Sequence, residues 1–297
     1  MDIRELKYFM EVAKELNITR AAKNLNMAQP PLSRQIQALE EELSVELFDR
    51  SRKKLQLTEE GKLLRIRAGQ ILELLEKTEV EVRELAKGAT GTLYIGTVEG
   101  RGPSLVSQWI ARFKEQYPKV YYEIWNGSTD DVLDRLEKGL LDIALIMEPF
   151  NTERLNSILV DKVPWIAMIN NEHPLAKLPG DTIELAQLSG EPIIVPSRKS
   201  RVQEIIGWFK EAGTDINMQA EMSSYLNARE LAMQGVGIAI FPSTSEKERK
   251  NTWVTEKRIV NPERMASYAV VWNKGKTLSV LGERFINMVG EVSKDVN

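Results

Sequence analysis

The sequence predicts an α/β protein that begins with a winged helix-turn-helix, continues in a long dimerisation helix and ends in a larger α/β domain. Three observations support this fold class. Short amphipathic helices and a basic loop occupy the N-terminal region, a heptad pattern follows, and strands then alternate with helices to the end. We place the boundaries of these parts, including a glycine-containing hinge, at residues 1–58, 59–87, 88–91 and 92–297.

Composition restricts the chemistry of the chain. It has no cysteines, which excludes disulfides, thiolate metal sites and a cysteine nucleophile, and a single histidine, His173. Because histidine is the usual general base and a common zinc ligand, we expect neither an enzyme nor a metal or cofactor site. No apolar stretch is long enough to cross a membrane and no signal peptide is recognisable, so we expect a cytoplasmic protein.

Residues 1–60 predict three helices that could read DNA. Apolar residues recur at three- and four-residue steps from residue 3 to 16, and Thr19 is a candidate N-cap for a second helix over 20–25. Pro30 and Pro31 open the third helix. The polar face of the third helix carries Gln29, Ser33, Arg34 and Gln37. Arginine pairs with guanine and glutamine with adenine, so this face suits the major groove.

A basic loop follows the third helix. Phe48, Leu55 and Leu57 are apolar anchors, and the cluster between them contains Arg50, Arg52 and Lys53. This pattern predicts a two-stranded wing whose cationic tip lies on the DNA backbone. Residues 1–60 carry ten basic and eleven acidic side chains, so the interpretation depends on where the charges lie. A solvated loop on a small helical bundle is the alternative.

A long helix follows the loop, with Thr58 as its candidate N-cap and an end near Lys87. Its apolar positions alternate steps of four and three, which predicts a heptad seam. The seam consists of Leu64, Ala68, Ile71, Leu75, Thr78, Val82 and Leu85. We expect the same helix of a second chain to cover it, which would place two recognition helices about one DNA turn, ~34 Å, apart. Packing along the C-terminal domain of the same chain is the alternative.

Residues 92–297 predict a largely parallel sheet in two lobes, the first about 92–162 and 267–297 and the second about 163–266. In open α/β sheets, ligands lie beyond the carboxyl ends of strands, at helix N-termini. Strand ends of both lobes give the candidate ligand site: Glu99, Gly100, Arg101, Gly102, Gly127, Ser128, Thr129, Glu148, Pro196, Ser197 and Arg198. The serines could equally be plain N-caps. The mixed charges could bind an amino acid or another zwitterion, or could form ion pairs across the cleft.

The N-terminal motifs resemble the DNA-binding domain of LysR-type transcriptional regulators. The similar residues are Thr19-Arg20-Ala21-Ala22, Leu25, Gln29 to Ile36, Leu39-Glu40, Leu43, Leu47 to Arg50 and Leu57 to Gly61. Pro31 departs from the small residue usual in the family. The resemblance implies that Gln29, Pro30, Ser33 and Arg34 lie near base edges and that Thr19, Arg50 and Arg52 lie near phosphates.

The C-terminal part resembles the effector domain of the same family, which is similar to periplasmic binding proteins. The similar segments are Gly91 to Gly96, Phe113 to Pro118, Gly139 to Ala144, His173 to Ala176 and Gly235 to Pro242. The resemblance implies effector contacts at Gly127-Ser128-Thr129 and Pro196-Ser197. At Glu99 the family often has a small hydroxyl residue.

The resemblance implies a transcription factor that binds double-stranded DNA and responds to a small-molecule effector. We expect the effector to be a small organic acid or an amino acid, and the other partners to be copies of this chain, as a dimer or tetramer, and RNA polymerase, with no membrane. Three alternatives fit the sequence less well. An enzyme with a dinucleotide motif built on Gly96, Gly100 and Gly102 would need glycine where Leu105 stands. A solute-binding protein would need an export signal, and a near-neutral N-terminal domain opposes an architectural DNA-binding protein.

Overall fold

A computed structural model describes residues 1–49, 55–85, 91–244 and 253–294 of the chain. The chain divides into two compact units, Met1–Gly88 and Ala89–Asn297. In its described residues the first unit consists of four helices and a two-stranded antiparallel hairpin. Their bounds are α1 Ile3–Glu15, α2 Ile18–Asn24, α3 Gln29–Leu43, β1 Phe48–Asp49, β2 Gln56–Leu57 and α4 Glu59–Leu85. The predicted wing is therefore present as β1 and β2, while Arg50, Arg52 and Lys53 lie outside the described residues.

The core of the first unit is formed by the apolar faces of α1, α2 and α3 together with Phe48 and with Ala68 of α4. The rings of Phe9 and Phe48 lie 5.5 Å apart, which ties the start of the wing to α1. Helix α4 can approach the wing closely because its first turn contains Gly61. A Cβ atom there would lie 2.1 Å from the carbonyl oxygen of Leu47, a distance that no side chain can tolerate.

The helix starts follow from local side-chain hydrogen bonds, with one correction to the sequence prediction. Asn17, not Thr19, caps α2, because the Asn17 side chain accepts a hydrogen bond from the backbone N–H of Arg20 at 3.0 Å. Thr19 lies exposed in the first turn of α2. Thr58 does cap α4, since its hydroxyl oxygen accepts from the backbone N–H of Gly61 at 3.0 Å.

The second unit contains ten strands and five α-helices in its described residues. The strands are β3 Thr92–Val98, β4 Tyr121–Gly127, β5 Ile143–Met147, β6 Leu155–Asn170, β7 Thr182–Glu184, β8 Pro192–Pro196, β9 Asn217–Met222, β10 Ile238–Pro242, β11 Val254–Val260 and β12 Met265–Asn273. The helices are α5 Gly102–Gln116, α6 Thr129–Glu137, α7 Lys199–Glu211, α8 Tyr225–Met233 and α9 Val280–Lys294.

The strands pair in the order β4-β3-β5-β12-β6-β10-β8-β9, with β11 on β6 and β7 on β11. The sheet is mixed, so the prediction of a largely parallel sheet was wrong. Strands β3, β4 and β5 are parallel to one another, as are β8, β9 and β10, but β6 and β12 run antiparallel to their neighbours. The long strand β6 pairs with β12 over its first part and with β10 over its last part. It therefore joins two lobes: lobe I contains β3, β4, β5 and β12, and lobe II contains β7 to β11.

Strand β11 was not predicted, because a lysine interrupts its apolar pattern. Lys257 is nevertheless buried, with 1% of its surface exposed. Its ammonium group donates hydrogen bonds to the backbone oxygens of Leu178 and Gly180 at 2.7 and 2.6 Å. These two bonds satisfy the buried charge and allow a lysine to occupy an inward position of the sheet.

Candidate functional site

A cavity of about 110 Å³ lies in the cleft between lobes I and II. Lobe I contributes the ends of β3, β4 and β5 and the start of α6, and lobe II contributes the ends of β8, β9 and β10 and the starts of α7 and α8. Much of the wall is apolar or aromatic, with Val98, Met147, Met222, Tyr225, Phe241 and Tyr268. The site thus combines an apolar body with helix N-termini, where backbone N–H groups favour an anion.

Eight of the predicted ligand-site residues line this cavity: Glu99, Gly100, Gly127, Ser128, Thr129, Pro196, Ser197 and Arg198. Arg101 instead lies at the junction of the lobes, where its Nε donates to Asp161 Oδ2 of β6 at 2.6 Å. Gly102 is required by packing, because a Cβ there would meet the hydroxyl of Thr97 at 2.3 Å. Glu148 does not line the cavity either, and its backbone oxygen accepts a hydrogen bond from Arg201.

Sequence reasoning missed part of the lining. The lining residues outside the predicted set are Val98, Met147, Arg201, Met222, Ser223, Tyr225, Phe241, Pro242 and Tyr268. Tyr225 could have been found, since it starts α8 directly after the N-cap Ser224. Tyr268 lies inside a buried strand and carries no local signal that distinguishes it from a core residue.

Polar contacts join the two lobes around the cavity. Arg198 of lobe II pairs with Asp130 of α6 at 2.9 Å and donates to the backbone oxygen of Pro149 at 2.9 Å. The Glu99 carboxylate of lobe I accepts a hydrogen bond from the backbone N–H of Tyr225 in lobe II at 2.8 Å. In these two contacts lobe I supplies the acceptor and lobe II the donor, whereas Arg101 of lobe I donates to the backbone oxygen of Thr244 in lobe II at 3.3 Å. The Arg198–Asp130 pair is an ion pair across the cleft, which is one of the alternatives that the sequence left open.

The serines at the cleft differ in how they are engaged. Ser128 is an N-cap, because its hydroxyl oxygen accepts from the backbone N–H of Asp131 and donates to the carboxylate of the same residue at 2.5 Å. Ser197 precedes α7, whose N-cap residue Arg198 makes no side-chain capping bond. The N-terminus of α7 is thus the less satisfied of these two helix ends.

Arg201 and Tyr268 place a cation and a phenol at the inner wall of the cleft. Arg201 is 4% exposed, stacks on the ring of Trp165 and pairs with Glu204. Its Nε is buried and has no hydrogen-bond partner among the described residues. Burial lowers the pKa of Arg201, and Glu204 opposes this shift. Burial raises the pKa of the Tyr268 hydroxyl far above its usual value, so this group stays neutral.

The raised pKa of Tyr268 predicts a loss of stability in alkali. Above pH 10, the usual pKa of tyrosine, the unfolded chain releases the phenol proton while the folded chain keeps it. The free energy of unfolding should then fall by up to ~1.4 kcal/mol per pH unit, while below that pH the group has no effect. We expect Tyr268→Phe to flatten this slope in urea unfolding between about pH 9 and 11. Tyr121→Phe, at an exposed tyrosine, should leave the slope unchanged, and equal slopes in all three proteins would contradict the assignment.

The third helix of the first unit has the two faces that the sequence predicts. Leu32, Ile36 and Leu39 are buried in the core. The other face shows Gln29, Arg34 and Gln37 exposed and Ser33 half-buried, and both prolines lie in the first turn, with Pro30 exposed and Pro31 half-buried. The starting residues of a helix presented in this way can enter a major groove.

The predicted seam of α4 is divided between two surfaces. Leu64 and Ala68 pack against the core of their own unit, so they are not available to a second chain there. Leu75 is half-buried, Ile71 and Val82 are exposed, and the side chain of Leu85 lies outside the description. The exposed apolar side chains of the helix are Leu63, Ile66, Ile71, Leu74 and Val82. These five exposed side chains form the open face of α4. This face differs from the predicted seam, because α1 covers the side of the helix that carries Leu64 and Ala68.

The described part of the chain contains no group of three or more histidine, cysteine, aspartate or glutamate side chains placed to hold a metal ion. Within the same residues, no helix has the length and apolar character needed to span a membrane.

Comparison with known families assigns both units. Residues 3–62 match the model described as "Bacterial regulatory helix-turn-helix protein, lysR family", and residues 86–294 match "LysR substrate binding domain". Together these two matches cover most of the chain.

Individual relatives agree with the family models. The chain is 31% identical to the HTH-type transcriptional regulator BsdA of Bacillus subtilis (strain 168), over 97% of this chain and 100% of BsdA. The crystal structure of CbnR, a LysR family transcriptional regulator, is similar with a TM-score of 0.82 and 25% identity, over 99% of this chain and 100% of CbnR. Full-length CbnR complexed with its target DNA gives the same TM-score and identity, over 98% of this chain and 100% of that one.

The relatives compared are regulators, and the matched models describe a regulator family rather than an enzyme family. The DNA-binding fold, the effector domain with its cleft and the full-length similarity agree with one another. The chain belongs to the LysR family of bacterial transcriptional regulators, DNA-binding proteins with an effector-binding domain.

Proposed function

We propose that this regulator responds to a small organic acid that binds in the cleft between lobes I and II with its carboxylate at the N-terminus of α7. The observation that carries the proposal is the uncapped start of α7 beside a mostly apolar cavity of about 110 Å³. Apolar cavities of about 150 Å³ hold benzene, so the effector would be of the size of one ring or a short aliphatic acid.

The charges around α7 support an anion. Ser197 and Arg198 precede the helix, and Arg201 follows in its first turn with a buried Nε that has no partner among the described residues. A carboxylate there would accept from backbone N–H groups and from one or both arginines, which are strong charge-assisted hydrogen bonds. An amino acid fits less well, because the cleft carboxylate of Glu99 is already bonded to the Tyr225 N–H.

Effector binding would change how the lobes are held together. Arg198 now pairs with Asp130 across the cleft, and an effector carboxylate on Arg198 would compete with that contact. The effector would therefore have different affinities for arrangements of the lobes with and without the Arg198–Asp130 pair. Such a difference is what allows a ligand to shift a conformational equilibrium.

We propose further that the protein acts in the cytoplasm as a homodimer or as a tetramer of two dimers, with contact to RNA polymerase at the promoter. The exposed apolar face of α4 supports self-association, because Leu63, Ile66 and Leu74 would otherwise form an apolar patch in contact with water. The DNA contacts would come from Gln29, Pro30, Pro31, Ser33, Arg34 and Gln37 at base edges and from Thr19, Arg50, Arg52 and Lys53 at phosphates.

A panel of small carboxylic, aromatic and amino acids tests the effector class by thermal melting. A ligand at a hundred times its dissociation constant should stabilise the protein by ~2.7 kcal/mol, a rise of roughly 5–10 °C in melting temperature. We expect one class of carboxylic acids to cause this shift. Ser197→Ala should then weaken binding tenfold or more, since a lost hydrogen bond to a charged group costs about 1.5–3 kcal/mol.

The control is Ser107→Ala, at an exposed serine of α5 that does not line the cavity. It should keep the full response to the acid. Ser128→Ala is a poorer test, because it also removes the cap of α6 and lowers stability without any ligand. A panel without any shift, or a Ser197→Ala variant that responds as the parent does, would contradict the proposed class or its placement.

A further inference from the structure

Glu99 reaches across the cleft and binds the start of a helix in the other lobe. It follows β3 of lobe I and lines the cavity. Its Oε2 accepts a hydrogen bond from the backbone N–H of Tyr225, the first residue of α8, at 2.8 Å. In the same turn the hydroxyl oxygen of Ser224 accepts from the N–H of Asn227 at 3.3 Å. The first turn of α8 thus holds a carboxylate that belongs to the protein itself.

The first turns of α6, α7 and α8 contribute Thr129, Arg201 and Tyr225 to the lining of this cavity, and their starts differ. Helix α6 is capped by the Ser128 hydroxyl, and α8 is capped by Ser224 and bonded to Glu99. Helix α7 begins after Arg198 without a side-chain capping bond. A helix start with free N–H groups attracts an anion, whereas a start that already holds a carboxylate repels a second one. Of these three starts, only that of α7 has no side-chain acceptor.

We propose that Glu99 determines effector specificity by occupying the start of α8 as an internal anion. The cleft then accepts a ligand with one carboxylate, bound at α7, and rejects a ligand whose second anionic group would lie at α8. This inference rests on the proposed function, because it takes the cleft as the effector site. Its basis is separate, namely the Glu99 contact with α8 rather than the open start of α7.

Removal of the Glu99 carboxylate tests the occupancy directly. Glu99→Ala leaves a vacancy of the size of acetate at the start of α8, so the variant should melt about 2–4 °C below the parent, as the loss of one helix cap implies. Sodium acetate, compared with sodium chloride at equal ionic strength, should restore most of that difference. The parent should not respond, because its own carboxylate fills the position.

Two further variants make this result specific. Glu123→Ala removes an exposed carboxylate from β4 of the same lobe and should show no recovery with acetate. Glu99→Gln keeps an oxygen that can accept from Tyr225 N–H, so it should melt close to the parent and be nearly insensitive to acetate. If Glu99→Ala melts like the parent, or if acetate shifts all four proteins equally, the proposal is overturned.

The specificity itself is tested with benzoate and terephthalate, which share one ring and differ by a second carboxylate. Isothermal titration gives, for each protein, the ratio of the dissociation constant of benzoate to that of terephthalate. This ratio should be at least tenfold higher for Glu99→Ser than for the parent. Equal preferences in both proteins would overturn the role in specificity. Acetate recovery in a protein that answers to no acid of the effector panel would support the Glu99 contact and contradict the proposed function. A response to an acid of the effector panel without acetate recovery in Glu99→Ala would support the proposed function and contradict the Glu99 contact.

Discussion

Replacing Arg34 by alanine is expected to weaken specific DNA binding by about 1–3 kcal/mol and to relax the preference at one base pair. Arg34 is exposed on α3, whose opposite face is held by Leu32 and Ile36 in the core. A guanidinium in this position can donate two hydrogen bonds to one guanine, and alanine can donate none. Because the side chain is exposed, the fold of the unit should not change.

The measurement is fluorescence anisotropy with the DNA site that the parent protein selects from a random-sequence library. Lys7→Ala is the matched control, since it also removes one exposed positive charge but lies in a groove between α1 and α4. It should lower the DNA affinity only slightly, and by the same factor for the selected and the scrambled DNA. If Arg34→Ala binds the selected site as the parent does, α3 does not read bases through this residue.

Combining Ile66→Glu with Leu74→Glu is expected to dissociate the proposed dimer. Both side chains are exposed apolar groups on the open face of α4, at 56% and 41% of their full exposure. Burying unpaired charges in an interface costs several kcal/mol, so the dimer dissociation constant should rise by at least about a hundredfold. Affinity for a two-half-site operator should fall with it, because each monomer would then bind one half-site alone.

Sedimentation velocity over a range of concentrations measures this change. The control combines Ile66→Leu with Leu74→Met, which preserves apolar character and volume at the same two positions and should stay dimeric. Substitutions at Leu64 and Ala68 would not serve, because Ala68 is in the core of the unit and Leu64 packs against it, so changes there would destabilise the fold as well. A double glutamate variant that remains dimeric would show that another surface holds the chains together.

The helices of the first unit could be predicted closely, and the reasons are local. The spacing of Leu6, Phe9 and Ala13 marks one face of α1, and the prolines mark the start of α3. The start of α2 was misplaced by two residues, because Asn17 and Thr19 are both good capping residues and only backbone geometry selects between them. Repeated apolar spacing also suggested the α4 seam, but spacing alone could not show that α1 takes the Leu64 side.

The second unit shows where local patterns stop being informative. The strand ends that carry Gly127, Ser128 and Ser197 were recognised, because small hydroxyl residues before helices have a clear meaning. Strand β11 was missed, because only the carbonyl groups of Leu178 and Gly180 make a buried Lys257 acceptable. Arg101 was assigned to the ligand, whereas its partner Asp161 lies 60 residues away in the chain.

The sequence by itself determined the family, the helix-turn-helix, the alternating strands and helices and the strand ends that line the cleft. These follow from spacings and caps that act within a few residues. Only the tertiary structure decided that Arg198 meets Asp130, that Glu99 binds the start of α8 from 126 residues away and that Tyr268 closes the cleft wall. Such contacts depend on how β6 and β12 join the lobes, and no short stretch of sequence encodes that arrangement.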